Sequence, residues 1–463
     1  MNKNHAMNYC VTALLVLGGI LSCRAQSIAG NLSLLSNQTI KLEGFSGLKT
    51  YPISSSTIDK DGNFSLAYSK SDYGMGYLVC NDSKPLFVIL SGEDVEVVGE
   101  SLSFTETVKV QKGQENLWFE QYAKEHPRRE QALSAWLYLD RMYAEDALFS
   151  KQKKSGSAIK KEQARIKSED AAFLTAMPAD SYVRWFLPIR KLVSSVSTLA
   201  QYRPEEVPEA IDAFRNLDYT DPRLYQSGLF KDAIEAHFWL IENGGGSLVE
   251  VYAAMNVSID AMMLRLVSNE KVLNEVTNHL FFVLERQSLF EASEYLALKV
   301  LGDERCTLDS DLKKQLETYR RMKIGNTAPD IVFDPTLFAS QGRVISTLSD
   351  LESAYTLVVF GASWCPKCIE ELPQIVSQYT KWQSKGVEVV FVALEDDRAA
   401  FEGFAQSFPF ASYCDAKKWD GSIVQDYFVF ATPTMFLLDR NREIVLRPQS
   451  VQQMVSWVDW FLK

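Results

Sequence analysis

The chain has few of the residues that build metal sites or disulfide frameworks. Its 463 residues include only four histidines and seven cysteines. His126, His237 and His279 are far apart, which favours structural roles over a shared metal site. The five cysteines beyond residue 25 are sparse and scattered, unlike those of a small disulfide-stabilised secreted domain.

Basic charge is also scarce, and no phosphate-binding motif occurs. The formal net charge is −11 at pH 7. Nucleic acids and anionic membrane surfaces attract proteins through basic patches, so this charge argues against both as partners. The basic stretch 151–167 lacks interleaved aromatic residues and is typical of a solvated helix or linker.

Beyond the first residues, no apolar run is long enough to anchor the chain in a membrane. Lys3, the apolar core 11–21 and the small residues that follow it predict a signal peptide over 1–25. Two endings stay open: a lipobox-like Ile-Leu-Ser-Cys would make Cys23 a lipidated N-terminus, whereas cleavage after Ala25 would release a soluble protein. We therefore expect an exported protein of the periplasm or cell envelope, soluble or lipid-anchored.

The rest of the chain divides into three patterns. Short strand-like runs over 27–112 predict an all-β sandwich. Apolar residues at helical spacing over 114–322, interrupted by proline and glycine, predict a central α-helical domain. Residues 324–463 alternate between buried strands and helices, which is typical of an α/β domain.

A dithiol motif lies where a strand of this third domain leads into a helix. The apolar run 355–360 predicts a buried strand, and the apolar residues after Cys368 recur at helical spacing. Cys365 therefore lies at a helix N-terminus, where free N–H groups and the helix dipole favour a thiolate. Cys368, one turn further along, could close on Cys365 to form a disulfide that is easily opened and resealed.

Two other interpretations of the Cys-x-x-Cys motif are half of a zinc site and a static disulfide. A zinc site needs two further ligands. The C-terminal region has no histidine and only one other cysteine, Cys414. The strand-to-helix context favours a working dithiol.

At these residues the sequence resembles the TlpA/ResA type of envelope thiol-disulfide oxidoreductase, within the thioredoxin superfamily. The resemblance covers about 324–463 and implies a thioredoxin fold for that region. The β-rich segment loosely resembles the sandwich domains of unknown function that precede such units in Gram-negative envelope proteins. The motifs that carry the main resemblance are Gly325-Asn326-Thr327-Ala328-Pro329-Asp330, Trp364-Cys365-Pro366-Lys367-Cys368, Glu370-Glu371-Leu372-Pro373 and Ala431-Thr432-Pro433-Thr434.

The resemblance implies a role for each matching residue. Cys365 would attack a substrate disulfide, Cys368 would resolve the mixed disulfide, and Glu371 would help move protons. Thr432 and Pro433 would form a cis-proline turn on which the substrate backbone lies. The remaining motif residues, expected to border the bound substrate, are Trp364, Pro366 and Lys367.

The resemblance also implies partners, and it has one clear departure. Disulfide-containing envelope proteins would be the substrates, a membrane thiol reductase would supply electrons, and no cofactor is expected. Thioredoxin carries a buried aspartate in the strand before the dithiol, whereas this chain has Val359. That proton route is absent, which leaves Glu371 as the proton carrier.

Two alternatives use the same cysteines differently. A redox sensor or copper-binding protein would use the dithiol without turnover, with Met435 as the nearest soft ligand in sequence to the cis-proline turn. Peroxiredoxins share the fold, but their Pro-x-x-x-Thr-x-x-Cys frame is replaced here by Val358 and Ala362. The sequence therefore favours disulfide exchange over peroxide reduction.

Overall fold

The computed structural model describes residues 26–81, 84–333 and 345–462, together with the backbone of 338–339. The predicted signal peptide, including Cys23, lies outside the described residues. The chain forms two compact units. One contains the described residues up to Gly44 together with those of Tyr51–Ala176, and the other contains Phe45–Thr50 and the described residues from Met177 onward.

The described residues before 113 form two four-stranded sheets, ordered β4-β1-β7-β8 and β3-β2-β5-β6. β1 pairs antiparallel with β4 and parallel with β7, so the first sheet is mixed. An N-terminal sheet domain is thus confirmed, and its sandwich arrangement stays a prediction. The strands are β1 (Gln26–Leu32), β2 (Thr39–Ser46), β3 (Lys49–Thr57), β4 (Asn63–Tyr68), β5 (Gly74–Cys80), β6 (Leu86–Leu90), β7 (Val95–Gly99) and β8 (Lys109–Lys112).

Alternation of side chains explains these strands. In β4, Phe64, Leu66 and Tyr68 are buried, while the residues between them are exposed. A strand with this period-2 pattern has one face against a core and one face in solvent. The apolar core takes residues from both sheets, for example Leu66 from β4 and Leu42 from β2.

The middle of the chain is helical, as predicted. The first two helices belong to the first compact unit and the rest to the second, and the predicted domain limits 27–112, 114–322 and 324–463 stay predictions. The helices are α1 (Gln114–Glu145), α2 (Lys153–Thr175), α3 (Tyr182–Tyr202), α4 (Val207–Arg215), α5 (Pro222–Tyr225), α6 (Phe230–Asn243), α7 (Leu248–Leu266), α8 (Glu270–Arg286), α9 (Phe290–Gly302) and α10 (Ser310–Arg321).

The C-terminal region has the predicted thioredoxin-like architecture. Its six-stranded sheet has the order β14-β13-β10-β11-β12-β9, with β10, β11 and β12 parallel and β13 antiparallel to β10. Its elements are β9 (Phe338–Ala339), β10 (Tyr355–Gly361), α11 (Pro366–Ser384), β11 (Val387–Ala393), α12 (Arg398–Ala405), β12 (Ala411–Cys414), α13 (Ser422–Asp426), β13 (Thr434–Asp439), β14 (Ile444–Leu446) and α14 (Val451–Phe461).

The dithiol lies at the carboxyl end of β10, a central strand of this sheet. β10 and β11 are buried throughout except for the partly exposed Tyr355, and they pair in parallel through the α11 crossover. The carboxyl ends of parallel strands meet at the same edge of a sheet, which is where α/β proteins bind ligands. Among the described residues, no helix is both long enough and apolar enough to cross a membrane.

Candidate active site

Cys365 lies between the end of β10 and the start of α11. It is the N-cap residue of α11, and its Sγ accepts a hydrogen bond of 3.2 Å from the backbone N–H of Cys368. Pro366 takes the first helical position, where a missing N–H group costs no helical hydrogen bond. The predicted strand–dithiol–helix arrangement is therefore present.

The two sulfur atoms of the motif are close together and differ in exposure. The Sγ atoms of Cys365 and Cys368 are 2.6 Å apart. Cys365 is 6% exposed and Cys368 is fully buried. An incoming disulfide can thus reach Cys365 only along a narrow path, and it meets Cys365 before Cys368.

Burial gives Cys368 a distinct chemical state. It raises the pKa of the Cys368 thiol to about 12, and the hydrogen bond to Cys365 adds to the effect. The Cys368 thiol therefore stays protonated at neutral pH. It can donate to the sulfur of Cys365, but it must lose its proton before it can attack a disulfide.

The turn before β13 faces the dithiol. The Thr432–Pro433 peptide bond is cis, as the resemblance implies. The Thr432 carbonyl oxygen lies 3.1 Å from Cys365 Sγ. Thr434, at the start of β13, pairs with Phe360 at the end of β10, which holds this turn beside the cysteines.

Trp364 borders the site and is 45% exposed. Its indole N–H donates to the Leu394 carbonyl oxygen at 2.9 Å. The ring of Trp419 meets it edge-on, with a centroid distance of 5.9 Å. Trp419 was missed by the sequence analysis, because it lies 55 residues further along the chain in a segment without a motif.

Glu395 is a second residue that the motif analysis missed. It follows β11, is 1% exposed, and accepts a hydrogen bond of 2.5 Å from the Ser363 N–H. The carboxylate therefore fixes the backbone two residues before Cys365. The sequence did contain a signal for it: an acidic residue at the carboxyl end of the apolar run that forms β11 must lie at the same end of the sheet as the dithiol.

Glu371 is buried on the side of α11 that faces α14. Its Oε2 accepts a hydrogen bond of 3.1 Å from the Val451 N–H. Its Oε1 lies 3.9 Å from the ammonium group of Lys367, which is itself half-exposed. The contacts recorded for the described residues do not join this carboxylate directly to either sulfur.

Two further sulfur-containing residues of the thioredoxin-like region, Cys414 and Met435, are buried. Cys414 is 1% exposed, and its sulfur accepts a 3.3 Å hydrogen bond from the Ala416 N–H. Burial raises the pKa of its thiol. Met435 is also 1% exposed, in the part of β13 that pairs with Val359 of β10.

Val358 and Ala362, which replace the proline and threonine of the peroxiredoxin frame, are fully buried. Neither side chain can donate a hydrogen bond to a peroxide at Cys365. Position 362, where the peroxiredoxin frame has the threonine hydroxyl, therefore carries no hydroxyl in this protein.

A group of possible metal ligands lies in the first compact unit. His126, Glu130 and Asp170 bring ligand atoms within 4.8 Å of one another. Asp170 also accepts from His126 at 2.8 Å and from Arg129 at 3.4 Å. The guanidinium group already balances the acidic charge, so this group is adequately explained as a structural network.

Comparisons with known proteins match the C-terminal region. A family model described as the AhpC/TSA family covers residues 324–447. Thiol-disulfide oxidoreductase ResA from Bacillus cereus is 30% identical over 129 residues, which cover 27% of this chain and 69% of that protein. Sporulation thiol-disulfide oxidoreductase A from Bacillus subtilis is 33% identical over 112 residues, which cover 22% of this chain and 66% of that protein.

A solved structure matches a larger part of the chain at lower identity. The thioredoxin-like protein from Bacteroides caccae aligns with 56% of this chain and 93% of its own, with a TM-score of 0.39 and 16% identity. The two Bacillus relatives described above are both named as thiol-disulfide oxidoreductases. Through its C-terminal region, the chain therefore belongs to the thioredoxin-like family of thiol-disulfide oxidoreductases that includes ResA.

Proposed function

We propose that the protein reduces disulfides of envelope proteins by exchange through the Cys365–Cys368 dithiol. The observation that carries this proposal is the 2.6 Å separation of the two sulfurs at the start of α11, with the Thr432 carbonyl beside Cys365. The Cys368 N–H donates to the sulfur of Cys365 and so stabilises negative charge there. Cys365 is the nucleophile and Cys368 the resolving thiol.

The reaction has two exchange steps. The Cys365 thiolate attacks one sulfur of the substrate disulfide, which forms a mixed disulfide and releases the other substrate sulfur as a thiolate that takes up a proton. Cys368 then loses its proton and attacks the Cys365 sulfur, which releases the second substrate thiol. Two electrons pass to the substrate, and the dithiol becomes a disulfide.

The second step needs a base, because the Cys368 thiol is held protonated. Glu371 fills this role, relayed by a water molecule since its carboxylate does not contact either sulfur directly. The Val451 N–H and Lys367 orient the carboxylate for that relay. Trp364, Pro366 and Thr432-Pro433 border the path by which the substrate arrives.

The cellular setting rests on the sequence. The apolar segment before Ala25 supports export to the periplasm of a Gram-negative envelope, with either a soluble product or a lipid anchor at Cys23. A membrane thiol reductase would return electrons to the oxidised dithiol. The N-terminal sheets would form the sandwich expected of such envelope proteins.

Trapping of the mixed disulfide tests the proposal. A Cys368→Ala variant retains the attacking sulfur but cannot resolve, so it should accumulate mixed disulfides with envelope proteins that dithiothreitol releases. The Cys365→Ala control should trap none. Absence of adducts with Cys368→Ala, or equal adducts with both variants, would contradict exchange catalysis. Metal analysis of the reduced protein separates exchange from copper binding.

A further inference from the structure

A groove of about 870 Å³ runs along one side of the thioredoxin-like region. One wall comes from helices α8 and α10, including Phe282 and Thr318. The other comes from the segment that leads to the cis-proline turn, including Trp419, Phe428 and Phe430. Both walls belong to the second compact unit. The volume lies within the range of roughly 300–1,000 Å³ that is usual for specific ligand sites.

Exposed rings make this groove a binding surface. Phe282 is 43% exposed and Trp419 is 39% exposed. Large apolar side chains grouped on one surface, rather than scattered singly, mark interaction sites. Polar atoms of Gln315 and Gln425 lie among the lining residues and can pair with a backbone.

The walls are held in place by packing between them. The ring of Phe428 packs against Phe281 of α8 at 6.2 Å and against Tyr319 of α10 at 5.6 Å, measured between centroids. Phe430 meets Phe281 edge-on at 6.0 Å. The groove is therefore preformed, and its occupant is spared most of the cost of ordering it.

One ring contact and one short segment of chain connect the groove to the dithiol. Trp419 lines it and also contacts Trp364, the residue before Cys365. Phe430 lines it and lies two residues before Thr432, and two extended residues span at most about 7 Å. A polypeptide joined through its sulfur to Cys365 reaches the groove within a few residues.

We infer that this groove binds the polypeptide segment next to the substrate cysteine and prefers a segment with a large apolar or aromatic side chain. At about 3.3 Å per extended residue, that side chain lies roughly two to four residues from the cysteine. The inference rests on the proposed exchange function, because the occupant arrives as the partner in the mixed disulfide. It assigns the helical region a part in substrate recognition, through Phe282 and Thr318.

Two disulfide peptides test the inference. They differ only in having Phe or Ser three residues from a cysteine that is joined by a disulfide to mercaptoethanol. The reduced wild-type protein, mixed with each peptide for a single turnover, should react with the Phe peptide with a second-order rate constant about tenfold higher, a ratio that corresponds to about 1.4 kcal/mol. Phe282→Ala should lose most of that preference. Phe104→Ala is the matched control, because Phe104 is 49% exposed and lies in the N-terminal sheet unit, and it should keep the preference.

A small disulfide separates failure of the inference from failure of the function. Hydroxyethyl disulfide is too short to reach the groove, so all three proteins should reduce it equally. Equal single-turnover rate constants for both peptides, with normal reduction of hydroxyethyl disulfide, would overturn the groove as a substrate site and leave the exchange function standing. If the wild-type protein reduces neither peptide and does not reduce hydroxyethyl disulfide, both the groove and the exchange function are overturned. The groove could instead bind a second copy of the chain. In that case the wild-type protein would sediment as a dimer, Phe282→Ala would sediment as a monomer, and the peptide preference would be unchanged. This result would overturn the inference.

Discussion

The guanidinium group of Arg447 lies 3.1 Å from the carboxylate of Glu285, and the two side chains are 5% and 4% exposed. Arg447 follows β14 and Glu285 lies in α8, so the pair joins the thioredoxin-like region to the helices of the same unit. The same guanidinium group donates to the Tyr319 hydroxyl at 2.8 Å. Burial, reinforced by the charge of Glu285, raises the pKa of Tyr319, which keeps this hydroxyl neutral.

Glu285→Ala should lower the free energy of unfolding by about 3–5 kcal/mol, because it leaves the charge of Arg447 buried without a counter-charge. Urea denaturation monitored by circular dichroism measures the change. Glu317→Ala is the control, since it removes a pair with Arg320 in which both side chains are partly exposed, 37% and 52%. That control should change stability by at most about 1 kcal/mol. Equal losses in the two variants would contradict the importance of the buried pair.

Alkylation should distinguish the two cysteines of the dithiol. A pKa raised to about 12 means that the neutral thiol of Cys368 is favoured until strongly alkaline pH. In the reduced, folded protein, iodoacetamide at pH 8 should therefore modify Cys365 and leave Cys368 free, as read by peptide mass spectrometry. Cys368 should become reactive only as the pH approaches 12. A Cys365→Ala variant provides the contrary outcome. If its Cys368 is labelled at pH 8 as fast as Cys365 is labelled in the wild type, Cys368 is not held as a neutral thiol.

Glu395 should act by positioning the backbone before Cys365. Glu395→Ala leaves the partly buried Ser363 N–H without its acceptor, so we expect a loss of about 1 kcal/mol in stability together with slower exchange. Glu395→Gln keeps an acceptor oxygen of the same reach and should restore most of both. The measurements are urea denaturation and insulin reduction. If Gln is as harmful as Ala, the charge of Glu395 matters and the positioning role is wrong.

Glu371→Gln should slow resolution of the mixed disulfide more than its formation, because Cys368 must give up a proton only in the second step. The expected loss is of the order of 10²-fold, the lower end of the range for general acid–base catalysis. Rapid acid quenching followed by mass spectrometry measures the rates at which the mixed disulfide forms and is resolved. Glu370→Gln is the control, since Glu370 is an exposed neighbour on the same helix. Similar effects from the two variants would remove Glu371 from the mechanism.

The fold of the C-terminal region could be predicted because its signals are local. The buried run at 355–360, the cysteines directly after it and the helical spacing from Ile369 onward all lie within neighbouring residues, and each decides one element. The cis bond before Pro433 was implied by the resemblance of Ala431-Thr432-Pro433-Thr434 to the cis-proline turn of the family, and it is physically reasonable because X-Pro is the dipeptide in which a cis bond costs little.

The sequence could not predict features that depend on distant pairing. Ile28 of β1 pairs in parallel with Val95 of β7, which makes the first sheet mixed. The alternation of buried and exposed side chains along a strand is the same whether its neighbour is parallel or antiparallel, so the sequence does not indicate this pairing. Trp419 reaches Trp364 only after the chain has crossed two strands. The groove beside the dithiol has walls more than 100 residues apart in sequence, for example at Phe282 and Phe428, so no local pattern indicates it.

Redox titration shows whether Cys365 and Cys368 exchange two electrons as a pair. The protein is equilibrated in buffers of increasing oxidised-to-reduced glutathione ratio, and peptide mass spectrometry measures the fraction of Cys365–Cys368 disulfide. We expect one reversible two-electron transition that is confined to this pair, with about 29.6 mV for each tenfold change in the equilibrium constant. A dithiol that stays reduced even in oxidised glutathione alone, or a disulfide from Cys365 to another cysteine of the chain, would contradict the account.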